Sequence, residues 1–127
     1  MVIDKKQLMP QEIEVWYVIP AIRRELVREM VKRGLKQKDI ADSLGITGAA
    51  VSQYLRNKRA REVQFTEETL NEIKRSAGVI SKDPQKLICE MQRILTIVKK
   101  NRTLCRVHHE HGRTPQKCEA CLGINSG

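Results

Sequence analysis

The chain has 127 residues, of which 40% are hydrophobic and 31% are charged, and this composition is typical of one folded domain rather than of a disordered chain. Aromatic residues make up only 3%, which argues against a β-sandwich and against a surface that stacks RNA bases. The 24 Lys and Arg residues exceed the 15 Asp and Glu residues by 9, so a partner with dense negative charge is the first expectation.

Nothing in the sequence indicates a membrane protein. No uncharged stretch is long enough to cross a bilayer, and residues 1–4 lack the apolar run of a signal peptide. We therefore expect a cytoplasmic protein in a reducing environment.

The first elements in chain order are an arm and a helix. Apolar and polar residues alternate only in part over residues 12–19, so the pattern fits both a short strand and an extension of the helix. We expect residues 1–18 to form an ordered arm, because Val15, Trp16 and Val18 are costly to leave exposed. Pro20 can then open a helix that stops at Gly34, and its apolar positions recur at helical spacing at Ile22, Leu26 and Met30, with Val27 and Val31 beside them.

Further helical patterns follow the polar link at residues 57–64. Thr66 can cap a helix that carries acids in its first turn and a Phe65–Leu70 staple, and this helix stops at Gly78. Asp83 and Pro84 begin another helix. Its apolar stripe is the broadest in the chain and is our expected dimer contact; it consists of Leu87, Ile88, Met91, Ile94, Leu95 and Val98.

The periodicity ends at Asn101, and residues 101–127 have too few apolar side chains to bury a core of their own. We therefore predict an all-α fold in four parts. These are an arm (1–18), a helix-turn-helix domain (19–62), a helical pair that serves dimerisation (63–100) and a Cys/His tail that binds metal (101–127).

Residues 37–56 carry the most specific pattern in the chain. Two short helices that cross over a tight turn need a small residue at the crossing, which Ala41 provides. The turn needs a left-handed residue, and Gly45 adopts that conformation without strain. Thr47 can cap the second helix. The residues predicted to seal the underside are Ile40, Leu44, Ile46, Val51 and Tyr54.

This pattern closely resembles the phage-repressor-like (XRE-type) helix-turn-helix regulators, over residues 19–62. The matching segments are GLKQKDIADSLGIT (34–47) and AVSQYL (50–55). The resemblance implies a helical domain that binds double-stranded DNA, normally as a homodimer on a two-fold operator. This sequence departs from the family in having Tyr54 where a smaller aliphatic residue is usual, and an unusually small Gly48-Ala49 pair on the reading surface.

The resemblance implies that the second helix enters the major groove with its N-terminal end. By helical geometry, Gln53 and Arg56 are among the residues that face outward from it. Gln53 can read adenine, and Arg56 can reach guanine or phosphate. Gln37 begins the other helix, where such proteins contact phosphate. The predicted DNA-binding residues are Gln37, Thr47, Gly48, Ala49, Ser52, Gln53, Arg56, Lys58 and Arg59.

All four cysteines lie late in the chain, which in a reducing compartment indicates a metal site more than disulfides. Cys105 with His108, and Cys118 with Cys121, form two pairs with two residues between the ligands. Cys89 falls on the polar face of its helix. Two ligand sets remain open: four thiolates (Cys89, Cys105, Cys118 and Cys121), or three thiolates completed by His108.

The metal also remains open between zinc and a 4Fe-4S cluster. The whole chain looks like archaeal regulators that join such a DNA-binding domain to a Cys-rich segment, and that resemblance implies iron–sulfur sensing. We expect a transcription regulator and not an enzyme, because no thioredoxin-like pattern surrounds Cys118 and Cys121 and no small-molecule substrate is indicated. The alternative is an RNA-binding or protein-docking adaptor with a structural zinc knuckle.

Overall fold

A computed structural model gives the structure of the protein and describes residues 8–56 and 63–112. Every regular element in these two stretches is helical, so the all-α prediction is confirmed. The elements, in chain order, are α1 (Pro10–Ile13), a π-helical turn (Glu14–Val18), α2 (Ile19–Lys32), α3 (Gln37–Leu44), α4 (Gly48–Leu55), α5 (Glu67–Lys82), a 3-10 turn (Pro84–Lys86), α6 (Leu87–Lys100) and α7 (Thr103–His111). No helix within the described residues is both long enough and apolar enough to cross a membrane.

The described part of the N-terminal arm is helical and runs without a break into α2. Pro20 has no N–H, and in a regular α-helix its ring would collide with the carbonyl of Trp16. The π-helical turn widens the helix just before Pro20, so that the backbone N–H of Ile19 bonds to the carbonyl of Glu14, five residues earlier. α2 therefore begins one residue before the predicted start and continues a helix that already exists.

The described part of the arm, residues 8–18, buries only one of the three side chains on which its expected order rested. Val18 is buried, whereas Val15 is 58% and Trp16 is 46% exposed. Leu8 and Ile13 contribute to the core instead. The arm therefore leaves apolar surface uncovered.

α2 is the central helix, because it contacts α3, α4 and α5. Its predicted stripe is fully buried at Ile22, Leu26 and Met30, but Val31 is 41% exposed. Gly34 ends the helix with a φ of +89°, as its position predicted.

α5 begins at the predicted cap but does not end at the predicted residue. The backbone N–H of Thr69 donates to Oγ1 of Thr66 over 3.1 Å. The helix continues through Gly78 to Lys82, so the predicted stop is wrong. Gly78 serves packing instead, because a Cβ there would lie 2.9 Å from Nη2 of Arg33, which donates to the carbonyl of Lys74 over 3.3 Å.

A polar cluster joins α5 to α6. Ser76 is fully buried, and its hydroxyl donates to Oε1 of Glu90 over 2.6 Å. Arg93 donates to Ser76 Oγ over 2.7 Å, to Glu90 over 3.0 Å and also to the carboxylate of Glu72. The Ser76 hydrogen bond is the main cause that lowers the pKa of Glu90 below its ordinary value, and Arg93 adds to it against the opposing effect of burial.

The apolar stripe of α6 packs mostly inside the chain, which corrects its assignment to the dimer contact. Met91, Ile94, Leu95 and Val98 are buried in the same core as α2. Ile88 is the exception, since it is 73% exposed. A charge at Met91 would therefore disturb the fold itself.

The start of the tail is a helix, contrary to the prediction that periodicity ends at Asn101. Arg102 turns the chain with a φ of +60°, and α7 then buries Leu104 and Val107. The side-chain amide of Asn101 donates to Oγ1 of Thr66 and of Thr69, over 3.1 and 2.9 Å. The end of α6, just before α7, is thus tied to the start of α5.

α7 also packs on the N-terminal arm. Nε2 of His108 lies 2.6 Å from the backbone carbonyl of Leu8, and the rings of His111 and Tyr17 stack with centroids 4.0 Å apart. The arm and the start of the tail therefore share one core with the helices between them.

We predict that Glu90→Gln lowers the free energy of unfolding by about 1 kcal/mol at neutral pH, because the charged acceptor is lost. The folded-state pKa of Glu90 is lowered, so its contribution is present above the unfolded pKa and is lost as the pH falls through the folded value. Urea unfolding should show that the loss of unfolding free energy in Glu90→Gln is smaller at about pH 3 than at neutral pH. The control is Glu110→Gln, at an exposed acid of α7; an equal deficit at both pH values would contradict the prediction.

Candidate nucleic-acid interface

The turn between α3 and α4 has the predicted geometry. Gly45 adopts φ +63° and ψ +34°, and no atom outside its immediate chain neighbours lies within 4 Å of where a Cβ would stand. Ile46 then donates its backbone N–H to the carbonyl of Ala41 over 3.0 Å. Oγ1 of Thr47 accepts from the backbone N–H of Ala50 over 3.0 Å, so Thr47 caps α4 as expected.

The underside of this hairpin is sealed. Ala41 is 7% exposed at the crossing, which is consistent with its predicted role as the small residue there. Ile46 is half-buried and packs against the core. The remaining predicted sealing residues are all buried; they are Ile40, Leu44, Val51 and Tyr54.

The opposite side presents the first turn of α4 to solvent. Thr47, Gly48 and Ala49 are exposed, as is Arg56 at the other end of the helix. Ser52 and Gln53 are half-buried rather than fully outward. Small side chains at the tip leave the backbone of α4 open to close approach.

Gln37 and Ser52 connect the two helices. The Ser52 hydroxyl donates to Oε1 of Gln37 over 3.2 Å, and both line an open groove with Leu55 and Arg56. The bond engages the acceptor end of the Gln37 amide, so its NH2 group remains as the donor end. Ser52, predicted to read bases, therefore orients Gln37 in this structure.

Two basic residues missing from the predicted set flank this position. Lys36 precedes α3 as its cap residue, Lys38 lies in its first turn, and both are exposed. Their place on either side of Gln37 was a signal available in the sequence. Lys58 and Arg59 lie outside the described residues.

A buried arginine of α2 bonds to the chain just before α5. Arg24 is 8% exposed, and its Nη2 donates to the carbonyl of Val63 over 3.1 Å. Arg106 of α7 donates to the carbonyl of Gln64. The role of Arg24 was not predicted. Its position three residues from both Ala21 and Val27, on the apolar side of α2, was the signal in the sequence.

The structure describes two of the four predicted cysteine ligands. Cys89 is exposed in the first turn of α6, and Cys105 is half-buried in the first turn of α7, while Cys118 and Cys121 lie outside the described residues. Cys89 and Cys105 lie on different helices, and α6 rises about 16 Å between Cys89 and Lys100, near the start of α7.

His108 fits the predicted ligand set in one way only. The carbonyl of Leu8 can only accept, so the Nε2 that bonds to it must carry a proton. Nδ1 is then the nitrogen that neutral His108 has for a metal. Cys105 and His108 lie one turn apart on a helix, which brings their side chains to the same face. Within residues 8–56 and 63–112, no group of three potential ligands is already assembled.

Comparison of the chain with models of known protein families, with curated proteins and with solved structures finds no match. The interpretation of the site therefore rests on its own geometry: a sealed two-helix hairpin, an exposed helix tip and donor groups beside it.

We predict that Gly45→Ala lowers the free energy of unfolding by about 1 kcal/mol, because a left-handed backbone is strained for any residue with a Cβ. Beyond the two chain neighbours of Gly45, no part of the described structure lies within 4 Å of the new Cβ, so a clash with other residues does not add to this backbone strain. The control is Gly48→Ala, in the first turn of α4, where the backbone is helical and the space is equally open. Urea unfolding should show no loss for the control; equal losses in both variants would contradict the account of the turn.

Proposed function

We propose that this protein is a sequence-specific DNA-binding transcription regulator. The observation that carries the proposal is the exposed first turn of α4, residues Thr47 to Ala49, above a hairpin whose underside is buried. An α-helix fits the major groove of B-DNA, and small residues at its tip permit a close approach. A cytoplasmic location is part of the same proposal.

Base recognition is assigned to α4. Gln53 can bond in a bidentate manner to adenine, and Arg56 can reach guanine or a phosphate. Thr47 and Ala49 offer methyl groups to the methyl group of thymine. Gly48 lets the backbone approach between them.

Phosphate binding is assigned to the start of α3. The proposed donors are the NH2 group of Gln37, oriented by Ser52, and the ammonium groups of its exposed sequence neighbours Lys36 and Lys38. Lys58 and Arg59, just past α4 in the sequence, extend the basic run, in accord with the net charge of +9. Such contacts position a protein on the duplex and make its affinity depend steeply on salt.

We further propose that the chain acts as a homodimer and that its C-terminal segment holds zinc or a 4Fe-4S cluster. The favoured ligands are Cys105, Cys118 and Cys121 with Nδ1 of His108, since Cys105 and His108 lie one turn apart on α7 whereas Cys89 lies at the opposite end of α6. When bound, the metal supplies a cross-link between α7 and the segment that follows it. Because α7 bonds to Gln64, metal binding is coupled to the chain that leaves the reading helix.

We predict that Ala49→Glu weakens binding to a duplex target at least about a hundredfold, because it places a carboxylate against phosphates. Gln53→Ala should cost about 1–3 kcal/mol and relax the preference for adenine at one position. Fluorescence anisotropy over a range of salt concentrations measures both effects.

The matched control is Gln85→Glu, which adds the same charge at an exposed position of the 3-10 turn, outside the hairpin. It should bind like the natural chain. Equal binding by Ala49→Glu, or tight binding of single-stranded RNA with no duplex binding, would contradict the proposal and favour an adaptor function.

We predict that protein purified without air contains either one zinc per chain, or iron and sulfide in equal amounts. Cys105→Ser should lose the metal, whereas Cys89→Ser should retain it. Elemental and sulfide analysis of both variants is the measurement. Loss of metal in Cys89→Ser would contradict the ligand assignment and favour four thiolates.

A further inference from the structure

A groove runs between the N-terminal arm and α6. Glu14, Val15 and Ile19 line it on the arm side, and Leu95 and Lys99 line it on the α6 side. It lies apart from the groove at Gln37, which belongs to the candidate nucleic-acid interface.

Exposed apolar side chains lie on the two segments that form the walls of this groove, and we call them its apolar rim. Val15 and Trp16 are exposed on the arm, and Ile88 is 73% exposed on α6, one turn before groove residue Gln92. Of the six large apolar side chains exposed in the described residues, four lie on these two segments, Met9 being the fourth. Such clustering is typical of a surface that another protein covers.

The charges of the groove are self-complementary. Glu14 lies on the arm wall and Lys99 on the α6 wall, and neither forms an ion pair among the described residues. In a two-fold contact, if residue i of one copy contacts residue j of the other, then residue j of the first copy also contacts residue i of the second. One Glu14–Lys99 contact across a two-fold axis is therefore made twice.

We propose that this face, formed by residues 9–19 of the arm and the outer side of α6, is the contact between two copies of the chain. A second copy of the chain fits this surface, because the surface carries both the acid and the base that pair across the contact, together with an apolar rim. This inference rests on the proposed function only in so far as a two-fold operator requires a dimer. It keeps Ile88 of the predicted stripe and replaces the buried residues Met91, Ile94 and Val98 with the α6 residues that line the groove.

The face also adjoins the segment that carries Cys105. α7 contacts both α1 and α6, and its His111 stacks on Tyr17, within the arm. Ordering or loosening of α7 by its metal would therefore act on one wall of the dimer contact and on Gln64 at once. A change at either place would alter the distance between the α4 helices of the two copies.

The first test is sedimentation equilibrium of the full chain as purified. Ile88→Glu should raise the dimer dissociation constant at least about tenfold, since each dimer carries the substitution twice. The control is Leu70→Glu, at an exposed leucine of α5, which should leave the constant unchanged. A monomeric natural chain at all accessible concentrations, or an unchanged dimer in Ile88→Glu, would overturn the proposal.

The second test is a charge exchange, which distinguishes a direct contact from damage to the fold. Glu14→Lys and Lys99→Glu should each weaken the dimer, because like charges then face each other twice. The double variant should recover most of the loss. Weakening without recovery would overturn the assignment of these two residues.

Duplex binding is measured separately on the same variants. If the exchange behaves as expected but no duplex is bound, the dimer face stands and the DNA-binding proposal fails. If duplex is bound while the exchange has no effect, the dimer face fails and the DNA-binding proposal stands.

Discussion

The packing of α3 and α4 onto α2 is the contact on which the candidate interface depends. Each of the two helices has only eight residues, too few to be stable alone in water. Burial of their inner faces against α2 supplies the missing stability, and the left-handed turn at Gly45 is what lets both faces be buried together. The exposed tip of α4 is therefore presented by a rigid support rather than by a loop.

The two ends of the described chain are joined to that support by polar contacts. Arg24 and Arg106 hold the carbonyls of Val63 and Gln64, and His108 holds that of Leu8. These bonds connect α7 both to the arm and to the chain just before α5. The metal proposed at Cys105 would therefore bind to a helix that already contacts both segments.

The hairpin was predictable because its determinants are local: Ala41, Gly45 and Thr47 specify the crossing, the turn and the cap within a few residues. α7 was missed because its two aliphatic residues gain stability only from distant partners on the arm and α6. The stop predicted at Gly78 failed for a similar reason, since the glycine accommodates Arg33 from another helix. The exposure of Val15 and Trp16 contradicts the expectation that such side chains are buried within one chain, and the proposed contact between chains would account for it.

The central claim is that α4 reads double-stranded DNA. The most direct measurement is selection of bound duplexes from a random-sequence pool by the full chain, with its metal retained, followed by sequencing. The account predicts enrichment of an inverted repeat whose half-sites are separated by about one helical turn. Failure to enrich any duplex sequence above the starting pool would contradict it.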